Sequence, residues 1–295
     1  MTGVAVTRPA QKRRRVSPLP YLYLLPSLLL FALFVFYPFV KTLITSLYTT
    51  DPAGRLVDFV GLSNYIGTFT SKDFAQVMSV TFEFAIKVVA GSIALGVLAA
   101  ILAHEVTHLK GLFRTVYALP MAVSSACITV ICVFILNPTM GILNYLLGTD
   151  IRWLKDVKTA LNSVAVVTIW MHLGLNYIFT IAALQNVDAS LYEAAAIDGA
   201  GLLRKHWHIT LPCISPTLFF LLIVNVINSF QSYAQINLMT RDGPGKCTRV
   251  FIYQIYLEAF VNGRFGNACA QSVIMFLLLL ILTLAQFRLE KKVTY

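Results

Sequence analysis

Two groups of polar side chains sit inside long apolar runs of this 295-residue sequence. The first is Trp170, His172, Asn176 and Tyr177; the second is Asn225, Asn228, Ser229, Gln231, Ser232, Tyr233 and Gln235. Amides and hydroxyls both donate and accept hydrogen bonds, and indole and phenol rings add apolar faces. The chemistry open to such a mixture is recognition of a hydroxylated molecule, a polyol or a sugar. Covalent catalysis asks for carboxylates, histidines or thiols converging on one place, and the charged residues here are scattered over the segments between apolar runs. Taken singly, each Asn, Ser or Gln reads as interhelical glue worth about 0.6 kcal/mol. Taken as clusters, they read as the lining of a path.

Other motifs carry less. GPGKCT at 243–248 has the look of a phosphate loop but lacks the first glycine of G-x-x-x-x-G-K-[ST]. His206 and His208 are two apart, so on a helix they do not share a face. They are expected to be solvated or lipid-facing, and neither a metal nor a cofactor is expected. Glu83 and Lys87 are four apart in the favourable order for a helical ion pair. Cys127, Cys132, Cys213 and Cys269 lie in or beside apolar runs and only Cys247 lies in a loop, so no disulfide framework is expected.

The elements that hold these residues are set by composition. The chain is 58% hydrophobic and 12% charged, against roughly 25% charged for a soluble domain. Six stretches are long enough to cross about 30 Å of hydrocarbon as helices: 21–46, 76–104, 114–136, 159–185, 213–236 and 268–288. They lack strand-like alternation, so the expected class is an all-α membrane protein. Residues 1–20 form a basic tail and 21–295 a membrane domain. The first span follows Arg8, Lys12, Arg13, Arg14 and Arg15 and is expected to be kept uncleaved, bent at Pro26 and Pro38. The lysine and arginine balance of the loops places both termini in the cytoplasm. The net charge of +10 then reads as anchoring at the lipid surface, with no nucleic-acid partner.

Between the fourth and fifth spans stands SLYEAAAIDGAGLLRKHWHITLP, residues 190–212. Ser190 and Glu193 have capping-box spacing, so a helix is expected from Ser190. Ala194, Ala195 and Ala196 continue it with small side chains that let a neighbouring backbone approach. Gly199 and Gly201 allow a turn, Leu202 to His208 make a second short helix, and Pro212 is expected to stop it. A tether between two spans is the plain reading of such a hairpin.

Glu193-Ala194-Ala195, then Gly199, Ile209 and Leu211-Pro212 at their fixed spacing resemble the EAA loop of membrane subunits of binding-protein-dependent ABC importers. FVGLSNYIGTF at 59–69, LPMAVS at 119–124, NPTMGILNYLL at 137–147 and the ending from Ala270 to Tyr295 are similar to permeases of the carbohydrate branch, which serve maltose or sn-glycerol-3-phosphate. The resemblance implies a type I importer permease fold of six helices in a bacterial inner membrane. It implies a cytoplasmic coupling helix using Glu193, Ala194, Ala195, Asp198, Gly199, Ile209, Leu211 and Pro212. It further implies a second permease subunit, two cytoplasmic ATPase subunits and an extracytoplasmic binding protein, with no catalysis by this chain. The substrate path would take Trp170, His172, Asn176, Tyr177, Asn228, Ser229, Gln231 and Ser232. An oligosaccharide permease shares nearly all these motifs. An intramembrane lipid-modifying enzyme and a channel or secondary transporter are the readings from other classes; the second would show inverted repeats.

Overall fold

The computed structural model describes residues 19–105 and 110–293; the basic cluster from Arg8 to Arg15 lies outside them. Helix α1 (Leu19–Phe31) runs through Pro26 into a π turn, Ala32–Phe36, and on into α2 (Tyr37–Thr45). In the π turn the Tyr37 N–H donates to the Ala32 carbonyl, one residue further back than in an α-helix. That shift places Pro38 in the first turn of α2, where its missing N–H costs no ladder bond. A two-stranded antiparallel hairpin follows, β1 (Tyr48–Thr50) and β2 (Leu56–Phe59), then α3 (Ser63–Phe69).

The bundle is built by α4 (Phe74–Glu105), α8 (Ala160–Gln185), α11 (Leu211–Phe230) and α14 (Phe265–Val293). The first two match the expected spans within two residues, because the length of an apolar run fixes a span directly. Five helices are long and apolar enough to cross a membrane, and a bent pair raises the number to as many as six among the described residues. That pair corrects the expected continuous span over 114–136. It consists of α5 (Lys110–Ala122) and α6 (Ser125–Ile135), bent by 100°. Pro120 weakens the last turn of α5, and Ser124 adopts an extended backbone as the residue that opens α6. After α6 comes the short α7 (Ile142–Leu147).

The fifth span is also corrected at both ends. Helix α10 (Leu202–Lys205) does not stop at Pro212: it continues through a second π turn, His206–Thr210, into α11. The Leu211 N–H donates to the His206 carbonyl, and Pro212 again falls in the first turn after the widened one. At the other end α11 finishes at Phe230 rather than 236; Gln231 and Ser232 break the chain before α12 (Tyr233–Met239). Helix α13 (Phe251–Tyr256) and a third π turn, Leu257–Val261, lead to α14.

Helices α4 and α8 approach closely because α4 presents glycines to α8. A Cβ on Gly96 would lie 2.3 Å from the Asn176 Cβ, and one on Gly91 would lie 2.5 Å from the Ile169 Cδ1. Small residues at a helix crossing let backbones meet where lipid offers no hydrophobic driving force. Phe84, Val88, Val164, Ile236 and Val250 fill the central packing, and Ala99, Ala100, Tyr177 and Ile214 a second cluster at the start of α11. The expected ion pair is present: Lys87 Nζ meets Glu83 Oε1 at 2.5 Å and also Asn162 Oδ1 at 2.6 Å.

At the start of α4, GPGKCT is a closed turn with its cation engaged. Lys246 Nζ lies 2.5 Å from Asp73 Oδ2, and Arg249 joins Asp73 to Asp242. The Lys246 hydrogen bond, with help from the Lys246 and Arg249 charges, holds the Asp73 carboxyl below its ordinary pKa. A lowered pKa means that this clasp stabilises the fold above about pH 4 and loses its effect as pH falls through the lowered value. The pair is partly solvated, so D73N is expected to cost under about 1 kcal/mol at pH 7. Thermal unfolding in detergent should show the gap between D73N and wild type closing as the pH is taken below 4; a gap independent of pH would remove the clasp from the account.

Candidate coupling site and polar path

Helix α9 (Ala189–Ile197) forms the first arm of the island. Its cap is Asp188, not the Ser190 and Glu193 box expected from sequence. Asp188 Oδ1 accepts the Ser190 N–H at 3.0 Å, and this bond lowers the Asp188 pKa. Asp188 has the extended backbone an N-cap needs, so the helix begins one residue before Ser190 and Glu193 is freed from capping. The helix closes on Gly199, whose φ is +74°. The Gly199 N–H donates to Ala196 O at 3.1 Å and the Ala200 N–H to Ala195 O at 2.9 Å, the paired bonds of a Schellman ending.

Capped at both ends, α9 is a rigid peg of nine residues. Glu193, Ala194 and Asp198 are exposed, Ala195 is half-buried, and the Glu193 carboxylate has no hydrogen-bond partner among the described residues. Beside them Ile197, Leu203 and Trp207 are 88%, 86% and 71% exposed, an apolar surface that the described residues leave uncovered. Ile209 and Leu211 are half-buried at the root of α11, and Pro212 is exposed. His206 is not a solvated group as expected. Its Nδ1 lies 3.1 Å from Thr210 Oγ1 and its Nε2 3.2 Å from Glu105 Oε1.

The structure divides the polar residues of α8 and α11 into two sets. Asn176 is fully buried, and its amide is exchanged with that of Asn225: Asn225 Nδ2 donates to Asn176 Oδ1 at 2.8 Å, and Asn176 Nδ2 to Asn225 Oδ1 at 3.2 Å. Ser92 Oγ adds a third bond to Asn225 Oδ1 at 3.1 Å. In this structure Asn176 ties α8 to Asn225 of α11, which also takes the Ser92 hydroxyl of α4, and the glycine opposite it lets Asn176 sit inward. Tyr177 is likewise enclosed, 4.9 Å from the Tyr117 ring. Ser229 and Ser232 are buried and return their hydroxyls to the Val226 and Asn228 carbonyls.

Trp170 and Gln231 are exposed, and His172 and Asn228 half-buried. The His172 Nδ1 has no hydrogen-bond partner among the described residues. Gln231 opens onto a 620 Å³ groove with Tyr233, Tyr256, Phe260 and Ser272. The Tyr233 and Tyr256 rings are 4.9 Å apart and Tyr256 and Phe260 5.4 Å apart. Tyr256, Phe260 and Ser272 were not among the residues expected from sequence. Tyr253, Tyr256 and Phe260 recur at three and four residues, a helical signal that could have pointed to them.

Residues 92–295 match the model of the binding-protein-dependent transport system inner membrane component family. The chain belongs to this family. The sn-glycerol-3-phosphate transport system permease protein UgpA of Agrobacterium fabrum is 36% identical over 94% of this chain and 96% of its own length. Among solved structures, a bacterial ABC transporter involved in the import of the acidic polysaccharide alginate has a chain 23% identical, with a TM-score of 0.82 over 94% of this chain and 96% of its own. The same fold is seen, with a TM-score of 0.81, in the alginate transporter in complex with an alginate pentasaccharide-bound periplasmic protein. As a member of this inner-membrane family the chain is a transport permease subunit.

Proposed function

We propose that this permease couples to cytoplasmic ATPase subunits through α9 and carries sn-glycerol-3-phosphate or a related sugar or polyol. The observation that carries the reading is α9 itself. It is a peg capped at both ends, with a carboxylate that has no partner among the described residues and an apolar surface beside it that those residues leave uncovered. In this reading α5 and α6 together make one span of six, both termini are cytoplasmic, and α9 faces the cytoplasm. A second permease subunit completes the passage, two ATPase subunits drive it, and an extracytoplasmic binding protein delivers the substrate. Trp170, His172, Asn228 and Gln231 contribute from this subunit.

Oligosaccharide transport is the second reading, favoured by the groove at Gln231. Its named lining residues carry no charge, and its ring faces suit a glycosyl unit better than a phosphate. The test is uptake by vesicles containing the whole importer, offered labelled sn-glycerol-3-phosphate in competition with unlabelled sugars. Uptake is expected to require both ATP and the binding protein. Flux that persists without nucleotide would contradict the coupling, and uptake blocked by an oligosaccharide would move the substrate to the second reading.

A further inference from the structure

A line of four side chains joins α9 to two spans. Tyr192 OH lies 2.9 Å from Thr210 Oγ1, Thr210 Oγ1 lies 3.1 Å from His206 Nδ1, and His206 Nε2 lies 3.2 Å from Glu105 Oε1. Tyr192 sits on α9, His206 and Thr210 on the π turn at the root of α11, and Glu105 at the end of α4. With the His206 proton on Nε2 every group in the line has a role. Tyr192 donates to Thr210, Thr210 donates to Nδ1, and Nε2–H donates to the Glu105 carboxylate.

We propose that Tyr192, Thr210, His206 and Glu105 form a strut that carries displacement of α9 into α11 and α4, which makes Tyr192 and His206 positioning residues for transport. The proposal rests on the coupling role given to α9 above. Three features support a transmitting rather than a merely packing role. Thr210 is buried at 1% exposure, so the joint is anchored in the bundle and not in solvent. The joint falls on the widened turn, where the i to i+5 pattern gives the helix a place to change pitch. The same α11 carries Asn225, which is hydrogen-bonded to α8 and α4, so a pull at Thr210 reaches three spans.

The test uses the assembled importer in a background with its native cysteines replaced and a single cysteine at Q231C, labelled with a water-soluble maleimide with and without ATP and vanadate. Labelling of the unmodified strut is expected to change with nucleotide. Y192F removes one oxygen and keeps the ring, so the fold is retained, and H206A removes the centre of the line. In both, the ATPase subunits should stay attached and hydrolyse ATP, while the nucleotide-dependent change in labelling falls by about three- to tenfold. H206N and H206Q should each restore part of it, since each amide replaces one ring nitrogen. Retention of the full response by Y192F and H206A overturns the strut. Loss of ATPase attachment in E193A alongside that full response would leave the coupling reading standing and the strut fallen. A Q231C response absent even with the strut intact and the ATPases bound would overturn both.

Discussion

Replacing Glu193 and Gly199 together, as E193A and G199V, is expected to lower uptake by about a hundredfold or more while the chain remains inserted and folded. The Gly199 backbone stands at a φ of +74°, where a side chain costs roughly 1–2 kcal/mol. Valine there undoes the Gly199 and Ala200 hydrogen bonds that end α9. Nine residues do not hold a helix in water without caps and packing, so the peg loses its shape. The Glu193 carboxylate is exposed and unbonded among the described residues, so its loss is expected to cost this subunit little and the partner its contact. A buried charged contact at an interface costs about 2 kcal/mol or more when truncated. The two losses together account for the hundredfold. Uptake per inserted chain and recovery of ATPase on affinity purification measure the effect. Normal uptake by the double variant, with ATPase bound, would contradict the coupling role.

The second large effect is expected at the joint between α4, α8 and α11. N225L removes the group that accepts from both Asn176 and Ser92 and that donates to the Asn176 oxygen. A lone polar contact between membrane helices averages about 0.6 kcal/mol. Here the partners are fully buried, so stranding them is expected to cost about 2–3 kcal/mol. The double variant N176L/N225L should recover part of that, because no amide is then left unpaired. G96V attacks the same joint by volume: its Cβ would stand 2.3 Å from the Asn176 Cβ, with Asn176 backbone at 3.2 Å, so the helices must separate. A loss of about 3 kcal/mol, or failure to fold, is expected. Thermal unfolding in detergent distinguishes the cases, and an N225L chain as stable as wild type would show that the knot does not hold the bundle.

What the sequence made legible follows from the physics each residue obeys. Apolar length fixed α4 and α8 to within two residues, since only a run of that length fits the bilayer. The same measure could not see the turn at Ser124, because a 100° bend leaves hydrophobicity unchanged. Facing was the harder problem. Asn176 and Gln231 are chemically alike, yet one is sealed against Gly96 and the other opens on the groove. Helices apolar on all sides carry no polar stripe to set their rotation. Asp188 and Ser190 are both good caps, and local preference alone does not choose between them. His206 was set aside because it shares no face with His208. Its contacts are instead to Thr210, four residues on, and to Glu105 from another helix, which spacing to His208 does not reveal.

The most direct measurement is a density map of the intact importer held by ATP and vanadate. The account predicts α9 seated in a groove of an ATPase subunit, with Glu193 against it and Ile197, Leu203 and Trp207 covered. A map in which the ATPases are bound elsewhere and α9 stands clear of them would contradict it.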